Sequence, residues 1–263
     1  MIMKLMLPVA ILIAVCLAPM TAQTTIRIAA AADLEPVLPP ILQQFEKETG
    51  IHAEATYQAS AALATQIQNG APFDVFLSAD LGYPQRLITA GLAQGLGDGN
   101  TGSPITYAHG TLVLWERKDS HLPQPSMDLL RRPEVQRIAI ASPDRAPYGR
   151  AAVAALQKSG LYEAVKSRLV TAENISQAAQ FVDTGNADVG FISLTSASTP
   201  RLRADGRYFV VSSSLYAPIE QGAVLITKAP HRVEAKKFLA YLMSTPVQQE
   251  MREYGLTPSR PVP

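Results

Sequence analysis

From residue 26 to the C-terminus, short apolar runs of strand length alternate with amphipathic stretches of helical period. This alternation restricts the chain to an α/β architecture, with sheets covered by helices. Residues 26–31 read as a first strand. Leu34, Val37, Leu38, Ile41, Leu42 and Phe45 then share one face at helical spacing, and Gly50 ends that helix. Residues 51–57 form a second strand, Ser60 opens a helix with Leu63 and Ile67 turned inward, and residues 73–78 form a third strand. The glycine-rich stretch 91–103 is a surface loop. Further strands are expected at 111–115, 137–141, 188–192, 208–212 and 222–227. Between them stand a helix from Pro147 to Ser159 and another over 174–183, with Ile175, Ala178, Ala179 and Val182 on one side. Residues 230–253 close the chain as one or two helices.

No strand is expected after those closing helices, so they must cover a sheet built earlier. The simplest arrangement has two lobes. Residues 23–108 and 222–263 make a discontinuous lobe one, and 109–221 make lobe two. The chain crosses a hinge twice, near 107–111 and near 218–222.

The bulk numbers sharpen this. Of 263 residues, 47% are hydrophobic and 17% charged, enough apolar material for packed cores. Residues 5–18 carry no charge and follow Lys4. The run is short for a membrane span but has the length of a signal-peptide core, with cleavage expected after Ala22. Cys16, the one cysteine, lies inside that leader, so the mature chain has no disulfide, thiolate nucleophile or cysteine metal site. Without Lys4 the chain holds 22 basic residues against 22 acidic ones. That neutrality excludes the basic footprint of a nucleic-acid binder.

Four places repeat one grammar, an apolar strand, a short turn of small or polar residues, then a helix start. They are Ala31-Ala32-Asp33, Ala59-Ser60-Ala61, Pro147-Tyr148-Gly149 and Asn174-Ile175-Ser176. Helix N-termini present unpaired N–H groups and the positive end of the helix dipole, and in open α/β sheets ligands sit beyond the carboxyl ends of strands. Several such termini converging on one cleft bind a small anion without lysine or arginine. Taken singly, Asp33 and Ser60 are ordinary N-cap types, Tyr148 and Ile175 ordinary packing residues, and Ser193 a plain strand end; only the set points to a ligand. Enzyme signatures are poor. His52, His109, His121 and His231 have no metal-ligand spacing, and the chain has no nucleophile elbow, P-loop or dinucleotide-binding glycine motif. Asp74 and Asp80 bracket one strand in FDVFLSAD and read as structural.

At the level of whole segments, the chain resembles the periplasmic molybdate-binding proteins of ABC importers. The matching stretches are IRIAAAADLEPVLPPILQQFEKETG, ASAALATQIQNGAPFDVFLSAD, SPDRAPYGRAAVAALQKSGLY, ENISQAAQFVDTGNADVGFIS and KKFLAYLMSTPVQQEMREYGL, in family order and spacing. The resemblance implies the type II periplasmic binding-protein fold, two Rossmann-like lobes with mixed sheets that close on a dehydrated oxyanion. Ser60 matches a serine that donates its hydroxyl and its N–H. Tyr148 and Ile175 match backbone donors at helix starts. Asp33 and Ser193 depart from the family pattern, standing where well-known members have a serine and a tyrosine. The expectation for Asp33 is that its N–H faces the ligand while its carboxylate turns away to cap Glu35.

The resemblance implies a monomeric, non-enzymatic periplasmic protein with no cofactor, which passes molybdate or tungstate to a membrane permease and its ATPase, with no nucleic acid among its partners. Selection against sulfate is expected from cavity size, since charge and shape are alike. Phosphate or sulfate as ligand stays open because of Asp33. An enzyme on the same two-lobe fold and a surface receptor domain are the readings from other classes.

Overall fold

A computed structural model describes residues 24–96 and 102–259. The leader expected over residues 1–22, with Cys16, lies outside the described residues, as do positions 97–101 of the glycine-rich loop. The first part of the chain runs β1 (Thr25–Ala31), α1 (Leu38–Thr49), β2 (His52–Gln58), α2 (Ser60–Gln68), β3 (Val75–Ser78), α3 (Gly82–Thr89), β4 (Ala93–Gln94) and β5 (Ile105–Gly110). The middle part runs β6 (Leu112–Arg117), β7 (Ile138–Ala141), α4 (Pro147–Lys158), α5 (Tyr162–Val165), β8 (Leu169–Ala172), α6 (Ile175–Asp183), β9 (Val189–Ser193), α7 (Leu194–Ala197), α8 (Pro200–Asp205) and β10 (Gly206–Val210). The chain ends with β11 (Ile219–Ile226), α9 (Arg232–Leu242), α10 (Thr245–Glu253) and β12 (Thr257–Pro258).

Two mixed sheets result. In the first the order is β12-β5-β11-β3-β1-β2, with β4 beside β11; in the second it is β10-β6-β9-β7-β8. β2, β1 and β3 pair in parallel, as do β7 with β8 and with β9. β11 enters the first sheet antiparallel to β3 and β5, and β6 enters the second antiparallel to β9 and β10. The chain passes from sheet to sheet at Thr111, between β5 and β6, and returns through residues 211–218. The two passages lie side by side. Leu112 N–H donates to Tyr216 Oη at 3.2 Å, and Val211 N–H donates to the Leu112 carbonyl at 3.1 Å.

Each sheet has its own buried core. The first gathers Ile26, Ile28, Phe45, Phe76 and the tail residues Phe238, Leu242 and Met251; the second gathers Leu114, Trp115, Ile138, Leu156, Val182 and Phe191. The tail helices do cover the early sheet, and Phe238 meets Phe45 edge-on with ring centroids 5.4 Å apart. Such a pair adds about 1 kcal/mol beyond simple burial.

Local structure departs from the sequence reading in a few places. The helical face drawn from Leu34 is broken. Residues 32–34 form a 3₁₀ turn and α1 begins only at Leu38. Pro36 lacks the N–H that a continuous helix would need there and disfavours helical geometry at Glu35. A strand, β12, follows the closing helices after all and pairs with β5. β4, β5 and β8 were not expected either, and β4 lies inside the stretch 91–103 read as a surface loop, with Ala93 buried against β11.

Candidate ligand-binding site between the lobes

The carboxyl ends of β1, β2, β7 and β8 feed the four turns singled out above, two from each sheet. The turns meet face to face. Ala61 N–H donates to the Arg145 carbonyl at 3.1 Å, Ser176 Oγ to the Ala32 carbonyl at 2.9 Å, and Thr195 Oγ1 to the Asp33 carbonyl at 2.7 Å. Tyr83 Oη donates to the Asp144 carbonyl at 3.3 Å, and at the rim Arg150 forms an ion pair with Asp80. Ala31, Ala32 and Ala79, carried by the first sheet, pack into the core of the second. The lobes are therefore closed on each other.

Ser60 is buried at the first position of α2, after Ala59 as N-cap. Its Oγ accepts the Ala79 N–H at 3.1 Å, which orients the hydroxyl and leaves its proton free to donate. Tyr148 is the second residue of α4, behind Pro147, whose missing N–H costs nothing at that position. Gly149 lets this terminus approach β7, since a Cβ there would lie 2.2 Å from the Ala141 carbonyl oxygen. Ile175 opens α6, with its side chain in the second core. Asn174 caps that helix by accepting the Gln177 N–H at 2.9 Å, so the N–H of Ile175 is not taken by the cap. At these positions no intrahelical carbonyl is available to the N–H groups of Ser60, Tyr148 and Ile175.

Asp33 is fully buried, but its carboxylate does not cap Glu35. The Glu35 N–H goes to the Ala32 carbonyl at 3.1 Å. Instead Oδ2 accepts from Tyr148 Oη at 3.0 Å and from Gln221 Nε2. The tight 3₁₀ turn spends its own backbone acceptor on Glu35, which frees the carboxylate for Tyr148 across the cleft and for Gln221 on its own sheet. Burial raises the Asp33 carboxyl to about 6, against the lowering effect of Gln221 and Tyr148. Asp33 Oδ1 and Gln221 Oε1 are buried without a hydrogen-bond partner. Burial also pushes the Tyr148 and Tyr107 hydroxyls well above their ordinary range, and Asp33 adds to both.

Ser193 is buried at the end of β9, where its Oγ caps α7 by accepting the Ser196 N–H at 3.2 Å. It also lies 2.9 Å from Ser196 Oγ and 2.8 Å from Thr195 Oγ1. Its hydroxyl is thus engaged within lobe two, and Thr195 is the residue that reaches across. Asp74 and Asp80 are structural, as expected. Asp74 accepts the N–H groups of Arg27 and His231 at 2.8 and 3.0 Å, and Asp80 accepts that of Tyr83 at 3.0 Å.

The sequence reading missed Gln221, Thr195 and Ser176. Gln221 had a faint signal, an amide at the inward-facing position after Glu220 and before the apolar run of β11. Among the described residues no lysine, arginine or histidine is buried, and no cluster of histidine, cysteine, aspartate or glutamate is arranged to hold a metal.

The profile of the bacterial extracellular solute-binding proteins matches residues 26–257. The chain belongs to that family. This solute-binding protein is 38% identical to the molybdate-binding protein ModA of Azotobacter vinelandii over 230 residues, 88% of each chain. It is 37% identical to that of Rhodobacter capsulatus over 211 residues, 80% of this chain and 79% of the relative. The solved periplasmic molybdate-binding protein of A. vinelandii superposes with a TM-score of 0.82 at 29% identity, covering 89% of this chain and all of that one. The resemblance and the two-lobe fold read from the sequence hold, and the family is one of binding proteins rather than enzymes.

Proposed function

We propose that this protein captures a tetrahedral oxyanion, molybdate with tungstate as its close mimic, between the lobes and delivers it outside the cytoplasm to the permease and ATPase of an ABC importer. The reading is supported by the meeting of turns from both sheets, where the starts of α2, α4 and α6 and the buried Ser60 hydroxyl come together, with no buried lysine, arginine or histidine among the described residues. Such a site suits a small dianion held by neutral donors. The N–H groups of Asp33, Ser60, Tyr148 and Ile175 and the hydroxyl of Ser60 are the proposed ligand contacts, with no cofactor or protein-bound metal. Ser193 contributes by holding Thr195 and Ser196 in place. Donors fixed at the larger radius of molybdate leave the oxygens of sulfate short of their partners.

The two sheets are read as the two lobes, and the protein as a periplasmic monomer exported by its leader. The relatives named for molybdate support the choice of ion. One observation favours a protonated oxyanion such as hydrogen phosphate instead, the buried and unpartnered Asp33 Oδ1. Side-by-side calorimetric titration of the mature protein with molybdate, tungstate, sulfate and phosphate tests both. Tight binding of molybdate and tungstate alone is expected. Binding of phosphate, or of none of the four, overturns the reading.

A further inference from the structure

Resting on the oxyanion reading, we propose that capture takes up one proton from solvent, which lodges on Asp33 Oδ1 and completes a carboxyl–amide pair with Gln221 as the lobes shut. The geometry has three parts. First, the contact between Gln221 Nε2 and Asp33 Oδ2 brings an amide against a carboxyl group. Second, the two atoms left over, Asp33 Oδ1 and Gln221 Oε1, are both acceptors, both buried and both without a partner. A buried acceptor left unmet is costly, and here two belong to groups already in contact. One proton on Oδ1 converts one acceptor into a donor and supplies the partner that the amide oxygen lacks. Third, Asp33 and Gln221 are carried by the same sheet, and closure seals this pair from water by bringing Tyr148 onto it from the other half. Asp33 comes from the turn after β1, Tyr148 from α4 of the other lobe, and Gln221 from β11 beside the hinge.

The surroundings offer the carboxylate no countercharge. The titratable groups facing it are Tyr148 from α4 and Tyr107 from β5, with Tyr216 behind Tyr148; Thr195 from α7 engages only its backbone carbonyl. A tyrosine hydroxyl never carries a positive charge. An incoming dianion adds a like charge to the same cleft and favours the neutral carboxyl further.

In the open form water reaches the carboxyl, and its affinity for protons is the ordinary one. In the closed form that affinity is raised to about 6 before any ligand is present. Closure and binding are then linked to proton uptake. The contribution is complete below the open-state value and is lost as pH rises through the closed-state value, which the dianion moves upward.

The test is calorimetry of the wild-type mature protein with micromolar molybdate, in pairs of buffers differing in ionisation enthalpy, from about pH 5.5 to about pH 8.5. Expected are an uptake approaching one proton per molybdate at the acid end, and a Kd that grows with pH by up to about tenfold per unit before levelling. Asp33→Asn keeps the pairing with Gln221 through its own amide. It should show no uptake and a flat Kd, and at about pH 8.5 it should bind more tightly than wild type by about tenfold. Molybdate binding without proton uptake, uptake unchanged in Asp33→Asn, or weaker binding by Asp33→Asn at every pH overturns this inference and leaves the proposed function standing. No molybdate binding at any pH overturns the proposed function and this inference with it.

Discussion

Gly110→Ala should cripple closure while leaving both lobes folded. Gly110 ends β5, one residue before the chain crosses between sheets. A Cβ at this position would stand 2.1 Å from Tyr148 Oη, 2.8 Å from its Cζ and 3.2 Å from Gln221 Nε2. The tyrosine cannot swing clear, because its side chain is buried and its hydroxyl is bound to Asp33 at 3.0 Å. Its ring would have to retreat by about 1 Å into packed surroundings, an overpacking of about 1–3 kcal/mol. Gly110 lies on β5 of the first sheet and Tyr148 in the core around the second, so the clash exists only where the two halves meet and the cost falls on the closing step. At 1.4 kcal/mol per tenfold, molybdate Kd should rise roughly 5- to 150-fold. Calorimetry gives the Kd, and a thermal melt of the ligand-free protein should shift by no more than about 2 °C. Adding Tyr148→Phe removes the nearest atom and should recover part of the loss. An unchanged Kd, or a ligand-free melting temperature that falls by as much as the overpacking energy implies, would refute the reasoning: the first would mean that Tyr148 does not dock against Gly110 in the bound form, the second that it does so in the open form too.

Ser60→Ala removes a proposed charge-assisted donor to the ligand and the acceptor of the buried Ala79 N–H. The cost of about 2–3 kcal/mol should weaken molybdate binding roughly 30- to 150-fold in calorimetry. Arg150→Gln breaks the rim ion pair with Asp80 across the cleft, whose side chains are 44% and 21% exposed. Molybdate Kd should rise only about 2- to 5-fold at low ionic strength, and the difference should vanish in titrations at about 0.5 M salt. Asp74→Asn disturbs a fully buried carboxylate that accepts two N–H groups, far from the cleft contacts. It should lower stability by about 2 kcal/mol, seen as a melting shift of roughly 4–8 °C, with Kd unchanged.

Much of the scaffold was legible in the sequence because its signals are local. The strands at the cores of both sheets carry short apolar runs, and α2, α4 and α6 start within a residue of where Ser60, Pro147 and Asn174 place them. β8 and β12 were not legible. β8 is four residues long with only one fully buried, and β12 is a two-residue strand ending in proline. β5 carries no clean alternation, because two buried neighbours, Tyr107 and Ala108, sit among half-exposed residues.

The candidate site divides in the same way. The backbone donors at Ser60, Tyr148 and Ile175 follow from helix starts, and a helix start is written in a few consecutive residues. The destination of the Asp33 carboxylate is not written there. Residues 148 and 221 stand 115 and 188 positions away; the β11-β3-β1 order within the first sheet brings Gln221 near, and the meeting of the two sheets brings Tyr148. Ser193 shows the converse, a residue marked by its place at a strand end whose hydroxyl the short helix after it takes up. The sequence by itself determined the two α/β halves and, through its matching segments, the family, because apolar period, capping residues and segment resemblance are properties of adjacent residues. Only the tertiary structure decided which side chains face one another across the closed cleft. Those contacts depend on the relative placement of two cores, and no local pattern encodes that placement.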